Sequence, residues 1–394
     1  MKKLTFSFLF IIAALASFAQ SQKGMKAIID ENMTYAAGQY KVLMQNVPAD
    51  RMPRTFEPAT GKFVTSDTKW WCSGFYPGTL WMIYDATKDE AIKAEALKRL
   101  AILEKEKNYT GNHDLGFMMY CSFGTAYAIT KTPEYKDVIF TAAKSLTTRY
   151  RPSIASIQSW DSSKNFKCPV IIDNMMNLEL LEWVTLNGGD KKYHEIAVTH
   201  SNTTLKNHFR PDNSSYHVLD YDLQTGKVSR KVTHQGFADE SAWARGQVWG
   251  LYGYITMYRF TKDETYLKKA HQIADFVLHH KNLPADKIPY WDFDASDIPN
   301  AKRDASAGAI LASALLELGQ YTKGKQKAEY LSVAETILRA LSSSDYRAAP
   351  GTNGGFLLQH SVGSLPHKSE VDQPLTYADY YFIEALGRFK KWYL

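Results

Sequence analysis

The sequence VIIDNMMNLELL, from Val170 to Leu181, is the most informative part of the chain for its architecture. An apolar strip leads directly into Asp173, and a helical pattern follows it. Apolar side chains then recur at four-residue spacing and on the adjoining face, which is the period of a helix and not of a strand. Asp173 is therefore predicted to lie in or just before the first turn of a largely apolar, buried helix.

Two interpretations of Asp173 follow from this position. An aspartate at the start of a helix commonly acts as an N-cap, whose carboxylate accepts hydrogen bonds from the first free backbone N–H groups. A carboxyl held at the mouth of a barrel could instead be a catalytic acid. The stretch alone favours the N-cap, so the rest of the chain has to decide.

The chain repeats a helical hairpin, in which an apolar helix rich in Gly, Ala and aromatic residues is followed by a polar turn and an amphipathic charged helix. The inner, apolar helices are predicted to begin near Gly74, Gly116, Asp173, Trp243, Asp304 and Tyr377. The outer, charged helices are predicted over Gly24–Gln45, Ala91–Leu103, Glu134–Thr148, Lys192–His208, Thr265–His280 and Lys327–Leu341. If the first outer helix packs beside the last inner one, the six pairs close into an all-α (α/α)6 barrel, a single domain over residues 20–394. An open solenoid is the alternative, but the chain lacks a polar capping repeat after the sixth inner helix, which favours closure.

In a closed ring of this kind the inner helices all run in the same direction. Their N-termini meet at one end, where unpaired N–H groups and helix dipoles create a positive potential. An anionic ligand is expected to bind at that end, among the loops that lead into the inner helices.

The first 19 residues have the composition of a secretory signal peptide. Lys2 and Lys3 precede an apolar run from Phe6 to Ala16, which is too short to span a membrane comfortably, and small residues precede a cleavage site predicted after Ala19. No later apolar run is long enough for a transmembrane helix. The mature protein is predicted to be exported to the bacterial periplasm without membrane insertion.

Charge and cysteine content exclude several other classes. Without Lys2 and Lys3 the formal net charge of +6 falls to about +4, and no Lys/Arg block suggests nucleic acid. Three cysteines, Cys72, Cys121 and Cys168, are too few for a disulfide scaffold and are odd in number. No metal-ligand spacing, P-loop, dinucleotide fingerprint or Gly-x-Ser-x-Gly motif is present.

The polar and aromatic residues that could carry chemistry fall in the loops before the inner helices. Trp70 and Trp71 could form a sugar-stacking wall or pack in the core, and His113-Asp114 could be a helix cap with its neighbour or a catalytic pair. Arg245 lies in an apolar helix, where it needs a partner. A bound carboxylate could satisfy it bidentately, as could Glu240 or another protein carboxylate.

Seven motifs together carry a family resemblance. In order along the chain they are Trp70–Phe75, His113–Phe117, Asp173–Asn177, His234–Gly236, Ser241–Gln247, Trp291–Phe293 and Asp304–Ala307. Each motif is weak alone, but the ordered set resembles the unsaturated glucuronyl hydrolases, glycoside hydrolase family 88. The resemblance runs from about Trp70 to the C-terminus.

The resemblance implies an (α/α)6 barrel with no metal or organic cofactor, and a substrate that is an oligosaccharide left by a polysaccharide lyase. Such substrates carry a 4,5-unsaturated uronic acid at the non-reducing end, and the enzyme hydrates its C4=C5 bond. By resemblance Asp173 is the general acid and base, and Asp114 supports it through charge and orientation.

The matching positions imply substrate contacts as well. These are His113, His217, Gln235, Arg245 and Trp249, with stacking by Trp70 or Trp71. In members that act on chondroitin or hyaluronan, the loop before the last helix contacts sulfate. Ser364 and Lys368 lie in that loop here, but their spacing does not reproduce the family pattern, and a solvated lysine is the alternative.

Three other functions remain open on the sequence alone. The related unsaturated rhamnogalacturonyl hydrolases share the barrel and the hydration chemistry, although His113-Asp114 and the Ser369–Asp372 loop favour the glucuronyl family. Sugar epimerisation would need two facing histidines, for which His217 and His234 could serve. A non-catalytic carbohydrate-binding toroid would keep the aromatic residues without needing the two aspartates. The protein is expected to be a monomer or a homodimer.

Overall fold

The computed structural model describes the backbone from Leu4 and the side chains from Gly24 to Leu394. The predicted signal peptide, residues 1–19, has no described side chains, and residues 1–3 lie outside the described chain altogether. Its assignment and the cleavage after Ala19 therefore stay predictions. Searched over the described residues, the structure contains no helix of the length and apolarity needed to cross a membrane.

The described chain forms two concentric layers of helices. The inner layer consists of Phe75–Thr87, the π-helix Gly116–Gly124 continued by Thr125–Thr130, the 3-10 helix Ile172–Asn177 continued by Leu178–Leu186, Ala244–Thr261, Ala305–Leu318 and Thr376–Tyr393. The outer layer consists of Leu4–Asn46, Glu90–Leu103, Pro133–Thr147, Lys192–Asn207, Glu264–Leu278 and Gly324–Leu341. Inner and outer helices alternate along the chain, as the sequence predicts, with ends that differ by a few residues.

The ring closes between the two ends of the chain. The first outer helix packs against the first and the sixth inner helices, and the first and sixth inner helices pack against each other. Tyr40 of the first outer helix donates its hydroxyl to the carboxylate of Asp379 in the sixth inner helix, at 3.2 Å. The same carboxylate accepts the backbone N–H groups of Leu357 and Leu358. The closed (α/α)6 barrel is thereby confirmed, and the open solenoid is excluded.

Composition explains why each helix lies in its layer. Every residue of Ala305–Leu318 is buried, because this inner helix is surrounded by protein on all sides. Glycines let the inner helices approach closely. A Cβ on Gly253 would lie 2.4 Å from the Cβ of Met175, and one on Gly74 would lie 2.2 Å from the carbonyl oxygens of Phe117 and Met118.

Short antiparallel hairpins, which the sequence did not predict, lie in the loops that enter the inner helices. The N-terminal hairpin pairs Met52–Glu57 with Lys62–Ser66, and the last hairpin pairs Ser361–Ser364 with Ser369–Gln373. A three-stranded sheet contains Pro169–Ile171, Val218–Tyr221 and Val228–Val232. Strands of three to six residues are too short for their alternation to stand out in the sequence. Because they precede inner helices, these hairpins surround the same end of the barrel.

Candidate active site

The catalytic candidate Asp173 lies in the first turn of the third inner helix, at the end of the barrel that the hairpins surround. The residue is 7% exposed, and its Oδ2 atom has no hydrogen-bond partner in the described protein. The N-cap of this helix is Ile171, and no side chain caps it. The helix-cap explanation of Asp173 is therefore wrong, and the unpartnered oxygen remains to be explained.

His217 faces Asp173 across this end of the barrel. Its Nε2 atom lies 3.8 Å from Oδ2 of Asp173, and neither atom has a hydrogen-bond partner. On the other side of the ring, Nδ1 accepts the backbone N–H groups of His234 and Gln235, each at 3.1 Å. Since a backbone N–H can only donate, Nδ1 carries no proton, and the neutral imidazole holds its proton on Nε2.

The second carboxyl, Asp114, follows His113 at the entrance of the second inner helix. Oδ1 of Asp114 lies 3.3 Å from Nε2 of His113. The backbone N–H of His113 donates to the carbonyl of Ser159, and that of Asp114 donates to the side-chain oxygen of Asn112. The main chain therefore holds the His-Asp pair, and the Ser159 hydroxyl also holds the His113 ring, at 3.4 Å from Nδ1.

Burial sets the protonation of these groups. It raises the pKa of Asp173 to about 7, although the charge of Arg245 opposes the shift. Burial, with the negative charge of Asp173, raises the pKa of Asp114 to about 8. Burial lowers the pKa of His113 to about 3 and that of His217 well below its usual range. At neutral pH the site therefore contains neutral imidazoles and carboxyl groups that can hold a proton.

Arg245 is paired within the protein, as one sequence interpretation expected, and its partner is a carboxylate other than Glu240. Its Nη1 donates to Asp304 at 3.1 Å and to the carbonyl of Val362 at 2.6 Å, and its Nη2 donates to the carbonyl of Gly363 at 2.7 Å. Glu240 contacts Arg210 instead. Both terminal nitrogens of Arg245 thus hold the last hairpin, and only Nε is left without a partner.

Aromatic rings form one wall of the site. Trp71 packs on Phe117 and on Tyr377, with ring centroids 5.4 and 4.9 Å apart. Trp249 is fully buried and packs on Phe117, and its indole N–H has no partner. Trp70 is only partly buried and packs against the guanidinium of Arg54.

The last hairpin brings a further set of polar groups to the rim. Ser364 is hydrogen-bonded to Nδ1 of His367 at 2.7 Å, and the His367 ring packs at a tilt against the His234 ring, with centroids 4.4 Å apart. Gln235 donates its side-chain amide to the carbonyl of Gly363 at 3.3 Å. Lys368 is exposed at the turn of the hairpin. Lys368 therefore lies on the exposed rim of the site, whereas Ser364 is buried beneath it.

Sequence reasoning missed two residues that organise the site. The Trp243 ring lies between His217 and Arg245, 4.4 Å from the imidazole and 4.5 Å from the guanidinium carbon. Tyr377 is buried, with an unpartnered hydroxyl, next to Trp71. The first of these could have been found, because Trp243 lies two positions before Arg245. The contact of Tyr377 depends on ring closure and leaves no local signal.

Among the residues that the structure describes, no group of three or more His, Cys, Asp or Glu side chains could hold a metal ion. The thiols of Cys72, Cys121 and Cys168 are all unpaired.

Comparison with known proteins assigns the family. No protein-family model matches the chain. An unsaturated glucuronyl hydrolase of Formosa agariphila is 47% identical over 352 residues, which cover 88% of this chain and 87% of the relative. A solved unsaturated glucuronyl hydrolase specific for heparin superposes with a TM-score of 0.89 at 44% identity, over 93% of this chain and 97% of the other. A solved variant of the Streptococcus agalactiae enzyme, complexed with dGlcA-GalNAc6S, has a TM-score of 0.79 at 30% identity and covers 93% and 92% of the two chains. With this similarity across nearly the whole barrel, and with the carboxyl and imidazole pairs at its mouth, the chain belongs to the unsaturated glucuronyl hydrolases, a family of glycoside hydrolases.

Proposed function

We propose that the enzyme removes the 4,5-unsaturated uronic acid from the non-reducing end of lyase-generated glycosaminoglycan disaccharides and oligosaccharides. Two of the relatives support this class of substrate, since one is specific for heparin and the other was solved with a sulfated dGlcA-GalNAc disaccharide. The anionic uronate also suits the end of the barrel at which the inner helices begin.

The chemistry is the hydration of an enol ether. A carboxylic acid donates a proton to C4, and the positive charge that develops at C5 is shared with the ring oxygen. The carboxylate then takes a proton from water as the water oxygen bonds to C5. The resulting hemiketal opens by breaking the bond between C5 and the ring oxygen. The hemiacetal left at C1 then releases the leaving sugar and becomes an aldehyde, so one water molecule is consumed.

Asp173 is assigned the acid and base steps. The single observation that carries this assignment is the pair of unpartnered atoms, Oδ2 of Asp173 and Nε2 of His217, which face each other in a buried site. Buried polar atoms nearly always have partners, so two without any mark the place for a substrate or water. A carboxyl with a pKa of about 7 also suits a group that must both give and take a proton at neutral pH.

Asp114 and the two histidines are assigned supporting roles. The charges of Asp114 and Asp173 interact, so ionisation of either carboxyl favours the proton on the other. His217 offers an N–H from Nε2, because Nδ1 is held by backbone amides, and it can donate to a substrate hydroxyl or carboxylate. His113 is assigned a substrate contact beside Asp114.

The remaining contacts are divided between the two sugars. Gln235, Trp249 and one of Trp70 or Trp71 are assigned to the unsaturated uronate, together with the unpartnered Nε of Arg245. Ser364 and Lys368 are assigned to the leaving sugar, because they belong to the last hairpin and its turn, at the edge of the site. Replacing Lys368 by alanine should weaken the turnover of a sulfated disaccharide more than that of its unsulfated counterpart.

We also propose that the enzyme works in the periplasm after cleavage near Ala19, as a monomer or a homodimer. The composition of the first 19 residues supports the export and the cleavage. N-terminal sequencing of protein recovered from the periplasmic fraction tests the cleavage. Recovery of uncleaved protein from the cytoplasm would overturn the proposal.

The function is tested by the ultraviolet absorbance of the conjugated C4=C5–carboxylate. Unsaturated disaccharides from chondroitin, hyaluronan, heparin and rhamnogalacturonan are each mixed with the protein. Loss of absorbance on the glycosaminoglycan products is the expected result. The order of the rates on these disaccharides gives the preferred linkage and sulfation. Loss on the rhamnogalacturonan product alone, or on none, would overturn the proposal.

A further inference from the structure

One arginine outside the candidate site connects two of its walls. Arg54 lies on the N-terminal hairpin, and its guanidinium carbon is 4.3 Å from the centroid of the Trp70 ring. The same guanidinium donates from Nε to Glu370 at 2.6 Å and from Nη2 to the hydroxyl of Ser369 at 3.1 Å. Glu370 and Ser369 belong to the last hairpin, so one side chain spans from the aromatic wall to the rim.

The last hairpin needs such support from outside. Two antiparallel strands of four and five residues are at best marginally stable by themselves in water. On one side Arg245 holds the carbonyls of Val362 and Gly363. On the other side the hairpin meets the seam where the ring closes, and Arg54 holds it there. Thr55 strengthens the same contact by donating its hydroxyl to the carbonyl of Pro374 at 2.7 Å.

The ion pair between Arg54 and Glu370 is linked to the site through Gly363. Glu370 packs so closely over Gly363 that a Cβ on the glycine would lie 2.5 Å from Oε2 of the glutamate. The carbonyl of Gly363 accepts hydrogen bonds from Arg245 and Gln235. Because these two side chains anchor the strand at Gly363, a displacement of Glu370 would chiefly move its free end, where Ser364 follows Gly363 and pairs with Ser369.

The contact is sheltered enough to have a defined geometry. The side chain of Arg54 is 27% exposed and that of Glu370 is 11% exposed, unlike the exposed pairs that contribute almost nothing. Arginine is also the residue that suits the position, because its planar group stacks on an indole and donates to two acceptors at once. A lysine could keep the ion pair with Glu370, but it could not stack on the Trp70 ring and donate both hydrogen bonds at the same time.

We propose that Arg54 is a positioning residue, which fixes the last hairpin at a set distance from Trp70 and thereby tunes recognition of the leaving sugar. This inference rests on the proposed function, in which Ser364 and Lys368 of that hairpin meet the leaving sugar. Loss of Arg54 should then weaken the binding of substrates that reach the hairpin and spare the proton transfer at Asp173.

The test compares two substrates that share the unsaturated uronate. One is the unsaturated chondroitin disaccharide, and the other is a 4-nitrophenyl glycoside of 4,5-unsaturated glucuronic acid, which lacks a leaving sugar. Arg54→Ala should raise KM for the disaccharide about tenfold, with a much smaller change in kcat, since neighbouring residues couple with energies of this order. On the aryl glycoside KM should change less than about threefold.

Two further variants separate positioning from folding. Arg54→Lys should recover part of the loss in KM, and the double variant Arg54→Ala with Glu370→Gln should be no worse than Arg54→Ala alone. Arg339→Ala, on the exposed face of the last outer helix, serves as the matched control and should behave like the wild type. Equal losses on both substrates, or additive losses in the double variant, would overturn the inference.

The wild-type assay separates this inference from the proposed function. If the wild type consumes the C4=C5 bond of the disaccharide and the Arg54 variants match it, the positioning role alone is wrong. If the wild type leaves every unsaturated disaccharide unchanged, the proposed function is wrong, and the inference falls with it.

Discussion

Nε2 of His217 and Oδ2 of Asp173 face each other across 3.8 Å, and neither atom has a hydrogen-bond partner. The distance is too long for a hydrogen bond between them. Because two backbone amides fix the tautomer of His217, its N–H is directed to the same space as the Asp173 carboxyl. A donor and a proton-holding acid thus converge on one small volume before any substrate is bound.

Replacing Asp173 by asparagine tests the acid directly. The change keeps the shape of the side chain and removes the proton, so kcat on the unsaturated disaccharide should fall about 10²–10⁴-fold. KM should change far less, because binding groups remain. Loss of ultraviolet absorbance gives the rates, and circular dichroism checks the fold. Turnover close to that of the wild type would refute the acid assignment.

The pH dependence of turnover should follow the two carboxyls. Asp173 is protonated below a pKa of about 7 and Asp114 below about 8, so kcat/KM should fall as the pH rises through this window. Because the two groups interact, the fall of kcat/KM at high pH, which is the alkaline limb of the profile, reflects the titration of the pair rather than that of either residue. Asp114→Asn removes the carboxyl with the higher pKa, so this limb should contract toward the pKa of Asp173, near 7, and move to lower pH. An unmoved limb in this variant would show that the two carboxyls are not coupled.

The helical part of the fold could be predicted because its signals are local. Apolar and charged helices alternate along the chain, and a sixth pair needs the first helix, so the closed barrel followed from the sequence and is confirmed. The hairpins could not be predicted in the same way, since each strand has few residues and pairs through the backbone. The π-helix at Gly116–Gly124 is also invisible to a pattern built on ordinary helical spacing.

The site was predictable to the extent that its residues lie in the loops that enter the inner helices. Asp173, Asp114 and His217 were found by this rule together with the family resemblance. The partners of Arg245 were not, because Asp304 and the carbonyl of Gly363 are far from it in sequence. A burial pattern shows that an arginine needs a partner, but only the closed ring shows which partner it has.

Arg245→Lys should show that this arginine supports the hairpin as well as the site. A single ammonium cannot replace two nitrogens that bind Asp304 and two carbonyls, and Asp304 is fully buried. The free energy of unfolding should fall by about 1–3 kcal/mol, the cost of leaving buried polar groups unpaired. Urea denaturation measures the change, with Arg339→Lys as the exposed control. Equal stability of the two variants would argue against a structural role.

Asp379 should make the closure of the ring sensitive to pH. Burial raises the pKa of its carboxyl to about 7 in the folded protein, whereas an aspartate in an unfolded chain titrates near 3.9. The folded state therefore binds this proton more tightly, and the contribution of Asp379 to stability is largest at low pH and declines as the pH rises from about 4 to about 7.

Asp379→Asn removes this titration but keeps most of the shape. The amide oxygen of asparagine can still accept one of the N–H groups of Leu357 and Leu358. The amide N–H₂ group is itself a donor and cannot accept the other N–H, so the variant should be less stable than the wild type at pH 5. The difference in stability should shrink by pH 8, because only the wild type then buries a charge. The shrinkage should be at most about 1.4 kcal/mol for each pH unit crossed. Urea denaturation of both proteins at several pH values measures the difference. Since the other buried carboxyls are present in both proteins, their contributions cancel. A constant difference from pH 5 to pH 8 would show that Asp379 does not titrate in this window.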